Sequence, residues 1–378
     1  MSTHPVITWT ENEVHHETRW RSENGSPPPK RVVIGNDQTS ADDAFRWASE
    51  GTAILWRGDY QNARQLLTAM ARRTDRKPGK AKKTLPTPIE AFNQHRQAQA
   101  QRARTLGMLL LPVDDDHQLN LRRAPDIRQA CIEAYGKDDQ PYVVSMREIL
   151  GLIGAHEWRK KGVVIPAIGN RVHPHYGVFS PVRGEYLELI GDNELPLPST
   201  ALAWDIGTGT GVIAALLARR GVKKVIATDI DPRAIACARD NVARLGVAEN
   251  VTVEQIDMFP EGRAPLIVCN PPWLPARPSS SIESAIYDPD SRMLLAFLNG
   301  LASHLTQGGE GWLILSDLAE HLGLRSREFL LKAIGDAGLF IKGYTEMAPE
   351  HPKAHDPTDP LHSARTAEIT RLYRLQVR

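Results

Sequence analysis

The sequence predicts an α/β chain. Its second half is a doubly wound parallel sheet, and a smaller mixed, mainly helical domain precedes it. Three observations carry this. From about Pro196 onward, apolar runs of strand length alternate with helical periods. The first of those runs ends in a glycine-rich turn, Gly207-Thr208-Gly209-Thr210-Gly211, that opens a helix. The last two strand-like runs, Leu339–Met347 and Glu368–Gln376, have no helical period between them, so the sheet should close with a C-terminal antiparallel hairpin.

Residues 1–40 are polar and broken by Pro27-Pro28-Pro29, and are read as a flexible N-terminus. Residues 41–162 form the N-terminal domain, read as the part that recognises the substrate. Helices are expected at Ala41–Ser49, at Tyr60–Arg73 with Asp59 as N-cap, at Ile89–Arg104, at Pro125–Tyr135 and at Val144–Lys161, with strands at Thr52–Trp56 and Leu106–Val113. Residues 163–195 read as a hairpin and connecting segment. The catalytic domain, 196–378, then alternates. Strands are expected at Ala201–Asp205, Lys224–Thr228, Val251–Gln255, Pro265–Cys269 and Gly311–Ser316. The helices between and after them are Gly211–Arg220, Pro232–Leu245, Arg292–Leu305 and Ser326–Ala337.

Bulk properties exclude several classes. No apolar run approaches the roughly 18 residues of a membrane helix. Met1–Asn24 lacks an apolar core of the secretory type. Cys131, Cys237 and Cys269 are odd in number and widely spaced, which argues against a disulfide framework or a metal site and for a cytoplasmic setting. The net charge of +1 hides a basic run, in which Arg72, Arg73, Arg76, Lys77, Lys80, Lys82 and Lys83 face only Asp75. That run is either a solvated linker or an arm that contacts phosphates.

Four strand-end turns carry the chemistry. Gly207, Gly209 and Gly211, with Thr208 among them, let the backbone approach a ligand closely. Their G-x-G-x-G spacing departs from the dinucleotide fingerprint. Asp205, just before the loop, suits a ligand bearing ammonium and sulfonium groups and would be awkward beside a pyrophosphate. Asp229, at the end of the next strand, is placed to accept from both ribose hydroxyls, while Asp231 before Pro232 is better explained as an N-cap. Asp257 could accept from an adenine amine, and Met258 or Phe259 could pack on its face. The ligand that fits is S-adenosylmethionine. The fourth turn, Asn270-Pro271-Pro272-Trp273, follows the strand that ends at Cys269. The Asn270 side-chain oxygen and the Pro271 carbonyl can both accept from a planar NH₂ group. That holds a weakly nucleophilic nitrogen in line with a methyl donor. Pro272 stiffens the turn, and Trp273 offers a stacking face. Weaker candidates are His173, His175 and Tyr176 on the hairpin, the His351–His362 loop, and a Ser279-Ser280-Ser281 lid.

On these residues, the stretch from about Tyr176 to Arg378 resembles the small-domain class I methyltransferases. These include glutamine N5-methyltransferases of release factors and ribosomal proteins, and ribosomal RNA adenine-N6 and guanine-N2 methyltransferases. The resemblance implies a Rossmann-like seven-stranded sheet and S-adenosylmethionine. It also implies a catalytic role for Asn270, Pro271, Pro272 and Trp273, and a cofactor role for Asp205 to Gly211, Asp229 and Asp257. The glutamine branch carries tyrosine where this chain has Trp273, and a Pro-Arg-x-x-Thr-Glu segment where it has Phe179 to Glu185. The expected acceptor is a base of RNA, ribosomal RNA foremost, so the expected partner is RNA or the ribosome. A protein glutamine is the alternative, and a nicotinamide oxidoreductase or an inactive binding module are minor rivals.

Overall fold

The computed structural model describes residues 5–75, 86–181, 184–196, 200–278, 282–350 and 356–378. The chain divides into two compact units. One comprises Met1–Leu85 and Asn93–Glu157, the other Pro86–Phe92 and Trp158–Arg378.

The first unit opens with strands where the sequence reading expected flexibility. β1 (Val6–Glu11) and β2 (Val14–Arg21) pair antiparallel, with Glu11 opposite Val14. The two turn residues, Asn12 and Glu13, have φ of 52° and 65°. Such two-residue turns match the twist of a hairpin. Neither residue is glycine, and His15 and Glu17 face outward, so polar residues mask the alternation that buries Ile7 and Trp20. β3 (Arg31–Gly35), α1 (Ala41–Ser49), β4 (Thr52–Trp56), α2 (Tyr60–Thr74), α3 (Pro88–Leu106), β5 (Leu109–Val113), α4 (Arg128–Tyr135), β6 (Tyr142–Ser145) and α5 (Met146–Lys161) follow. Six strands form one sheet in the order β1-β2-β6-β5-β4-β3. β4 lies between β3 and β5, parallel to both, and is buried at every position. Helices hold more residues of this unit than strands do, as a mixed, mainly helical domain requires, but the strands join into one six-stranded sheet that the sequence did not predict. Strands as short as the four residues of β6 carry too little periodicity to be separated from the helix that follows.

In the second unit, β7 (Val163–Ile165) and β8 (Asn170–Val172) make a small antiparallel pair. α6 (Glu185–Asp192) leads into β9 (Leu202–Ile206), α7 (Val212–Arg219), β10 (Lys224–Asp229), α8 (Pro232–Arg244), β11 (Val251–Gln255), β12 (Ala264–Cys269), α9 (Arg292–His304), β13 (Leu305–Ser316), α10 (Leu318–His321), α11 (Arg327–Asp336), β14 (Leu339–Met347), α12 (His362–Ala367) and β15 (Thr370–Val377). The seven strands run β11-β10-β9-β12-β13-β15-β14. The first five are parallel, and β15 is antiparallel to both β13 and β14. β12 is buried along its whole length, as a strand covered on both faces must be. Asp231 caps α8 by accepting from Arg233 N, with Pro232 in the first turn. α12 stands between the last two strands, where the sequence reading placed only a loop. The strand order reverses between β9 and β12, and in open α/β sheets ligands bind at the carboxyl end of that switch point.

Candidate active site

The switch point gathers the residues singled out from sequence. β9 delivers Asp205 and the glycine turn. β12, in register with β9 from Leu266 opposite Ala203 to Cys269 opposite Ile206, delivers Asn270. β10 delivers Asp229.

The glycine turn needs glycine at two positions for stated reasons. Gly207 has φ +73°, and a Cβ there would sit 2.5 Å from the Met293 methyl. Gly211 has φ +80°, and a Cβ would lie 3.1–3.3 Å from atoms of Ala238 on α8. The Gly207 and Thr208 N–H groups both donate to the Thr228 carbonyl at 2.9 Å, which ties the turn to β10. Asp205 is fully buried. Its Oδ2 accepts from the Thr208 hydroxyl at 2.6 Å and the Ala214 N–H at 3.1 Å, whereas its Oδ1 has no partner among the described residues. Burial pushes this carboxyl up to about 7, against the pull of those two hydrogen bonds. Asp229 accepts from the Gly209 N–H and the Asp231 N–H, each at 3.0 Å. Burial raises it as well. Each Asp229 oxygen keeps acceptor capacity for a further donor.

Other expected residues settle differently. Asp257 is exposed after β11. Met258 is half-buried at φ +66°, and its carbonyl accepts from the Thr228 hydroxyl at 2.7 Å. Phe259 belongs to the core, stacked on His304 at 4.4 Å and on Phe297 at 5.9 Å, rather than on a ligand. His173 and His175 latch their segment onto its neighbours. His173 Nδ1 lies 2.6 Å from the Arg159 carbonyl and His175 Nε2 3.1 Å from Asp240. Arg76 to Lys83 of the basic run, Val182, Arg183, Ser279 to Ser281, His351 and His355 lie outside the described residues.

In the acceptor turn, Pro271 is buried, and Asn270, Pro272 and Trp273 are half-buried. The Trp273 indole N–H donates to Asn270 Oδ1 at 2.9 Å. Indole nitrogen is a donor only, so this bond fixes which end of the carboxamide is oxygen and leaves it a second lone pair. The Trp273 ring also packs against the cores on both sides of the sheet, which corrects the picture of a freely offered stacking face. The exit of the turn is laced down. Leu274 N donates to Ile286 O at 3.2 Å, and Asp288 N to Leu274 O at 2.8 Å.

Three residues of this support escaped the sequence reading. Arg325, nearly buried, donates to the Trp273 carbonyl and to the Ser291 hydroxyl, both at 3.1 Å. Asp288 accepts from Met293 N and Leu294 N and so caps α9, a role that Asp288-Pro289 ahead of an apolar helix does signal. Asn241, fully buried inside α8, accepts from His173 N at 2.7 Å and donates to the Thr210 carbonyl at 3.1 Å. An asparagine in a helix interior is a weak signal for such a bond.

Known proteins resemble this half of the chain. Residues 170–334 match the family model described as the methyltransferase small domain. A ribosomal protein L11 methyltransferase of Symbiobacterium thermophilum is 33% identical over 153 residues, 40% of this chain and 42% of that protein. A release factor glutamine methyltransferase of Cereibacter sphaeroides is 37% identical over 124 residues, 29% of this chain and 44% of that protein. The chain thus spans less than half the length of these curated relatives. Among solved structures, a ribosomal protein L11 methylase of Lactobacillus delbrueckii subsp. bulgaricus is similar at TM-score 0.35 and 18% identity, covering 51% of this chain and 76% of that one.

Proposed function

With residues 170–334 matching the family model of the methyltransferase small domain, we propose that the chain transfers a methyl group from S-adenosylmethionine to a planar amino or amide nitrogen. One observation carries the reading. The Asn270 carboxamide oxygen, oriented by Trp273, ends the strand next to the one that ends in Asp205 and the glycine turn.

The residues present fit the cofactor. A buried carboxylate oxygen without a partner, as on Asp205, is matched by a cationic group. Asp229 has acceptor capacity for ribose hydroxyls, and we assign the adenine amine to Asp257, with Met258 beside it. Gly207, Thr208, Gly209 and Gly211 form the cradle. When bound, S-adenosylmethionine supplies an electrophilic methyl on sulfur. Asn270 Oδ1 and the Pro271 carbonyl accept the two N–H bonds of the acceptor nitrogen and aim its lone pair, while Pro271 and Pro272 keep the turn from relaxing. The nitrogen loses a proton after attack, so no side-chain base is required.

The acceptor we assign is a base amine of RNA, supported by the basic character of the chain around Arg72. Protein glutamine is the second reading, favoured by the relative named for release factor glutamine methylation. Tritiated S-adenosylmethionine with fractionated RNA and protein from cells lacking the gene decides between them. Label in the RNA fraction that nuclease removes supports the first reading, and label that protease removes supports the second. Calorimetry should register S-adenosylhomocysteine and not NAD; the reverse preference overturns both.

A further inference from the structure

The first unit carries a face that the chemistry above does not use. Between Tyr60 and Thr74, and again between Asn93 and Leu106, the sequence holds six arginines and no acidic residue, in a chain whose charges otherwise nearly balance. Arginines of both helices are paired. Arg73 pairs with Asp42 at 2.6 Å and Arg102 with Asp75 at 2.8 Å. Arg64 and Arg72 have no carboxylate among the described residues; Arg64 meets only the Gln61 side chain, at 3.4 Å.

These two lie on one outward stripe of α2. Arg64, Gln65, Thr68 and Arg72 are its exposed positions, while Ala63, Leu66, Leu67 and Met70 hold the other side in the core. A shallow groove of about 420 Å³ runs along the stripe, lined by Gln61, Arg64, Gln65, Thr68, Ala69 and Arg72. Arg72 follows Arg64 by eight helical positions, so their Cα atoms stand about 12 Å apart along the axis. Beyond the N-terminal end of α2 the turn Arg122-Arg123 continues the charge. Both guanidiniums are exposed and hang on the buried carboxylate of Asp59, each at 2.7 Å, with Asp37 behind it accepting from Asp59 N.

We propose that this stripe of α2 grips the sugar–phosphate backbone of the RNA substrate, which it holds without reading sequence. The proposal rests on the RNA reading given above. The composition of the stripe argues against a protein-docking core. Such a core is rich in aromatic residues as well as arginine, and here the exposed positions are guanidinium, amide and hydroxyl groups that suit phosphate oxygens and ribose hydroxyls. Arginine forks match phosphate bidentately.

The test uses the full chain and a fluorescently labelled RNA stem-loop, with anisotropy followed across a salt series. Arg64→Gln with Arg72→Gln should lower the log–log salt slope by about 1.4–1.8 units, at roughly 0.7–0.9 for each phosphate that is no longer neutralised. It should leave S-adenosylhomocysteine affinity and the melting temperature unchanged. Arg64→Glu with Arg72→Glu should weaken binding further. A double variant that keeps the slope and affinity of the wild type overturns the proposal and leaves the RNA reading intact. Competition by polyglutamate as effective as by unlabelled RNA overturns it in favour of an acidic protein partner. A wild-type protein that labels only protein and binds no RNA removes the RNA reading itself, and the proposal with it.

Discussion

Replacing Trp273 with phenylalanine isolates one hydrogen bond. The substitution keeps an aromatic ring in the half-buried slot between the two cores and deletes the N–H that reaches Asn270 Oδ1 at 2.9 Å. Without that donor the carboxamide can present either end to the acceptor nitrogen, and its NH₂ end repels a substrate N–H. A neutral hydrogen bond of this kind contributes about 0.5–1.5 kcal/mol. With tenfold in rate for about 1.4 kcal/mol, kcat should fall about 2- to 13-fold. The cofactor site does not share this bond, so S-adenosylhomocysteine affinity by calorimetry should stay at the wild-type value. Asn270→Ala alone should cost about 10²-fold in kcat, the scale for losing one oriented polar group. If Trp273 acts through Asn270, adding Trp273→Phe to Asn270→Ala should cost nothing further, because neighbours that share one interaction are not additive. A full multiplicative loss in the double variant, or an unchanged kcat in Trp273→Phe, would refute the positioning role.

Three other outcomes follow from the geometry. Because burial lifts the Asp205 carboxyl to about 7 from the 3.8 of a free side chain, the cofactor-free fold binds the extra proton between those values. Its stability should therefore decline as pH rises through that window. S-adenosylhomocysteine binding should strengthen over the same range and release a proton near pH 6, seen as a buffer-dependent calorimetric enthalpy; Asp205→Asn should abolish both trends. Gly211→Ala, at φ +80° against the backbone of Ala238, should destabilise the second unit by about 1–2 kcal/mol or more in urea melts and weaken S-adenosylhomocysteine. Asn241→Ala removes the bonds to the Thr210 carbonyl and His173 N from a fully buried position, and should cost about 1–3 kcal/mol while raising the apparent KM for S-adenosylmethionine; an unchanged melt would show that Asn241 is not the latch.

The second unit was legible because its signals are local and strong. The fully apolar β12, the glycines after β9 and the Asp231-Pro232 cap each identify their element without reference to the rest of the fold. The first unit was less legible for a physical reason. The β1–β2 hairpin turns on Asn12-Glu13, and its outward positions are polar, so only the partner strand β6, reached through Arg19 opposite Tyr142, reveals it as part of a sheet. The acceptor turn shows the same limit within the site. Asn270 could be named from four letters. That Trp273 would spend its N–H on Asn270, and that Arg325 would hold the Trp273 carbonyl from a distant loop, depend on tertiary placement alone.

The pairing of β9 with β12 has a kinetic consequence. α7, β10, α8 and β11 lie between these two neighbours in the chain, so the nonlocal parallel pairing that joins them forms late and slowly. A slip of one residue there would move Asn270 by about 3.3 Å and turn its side chain to the opposite face of the sheet. Recovery of the proposed methyl transfer would then time that single registration event. During refolding, helical ellipticity should recover first, and turnover should appear only when Cys269 comes to rest opposite Ile206.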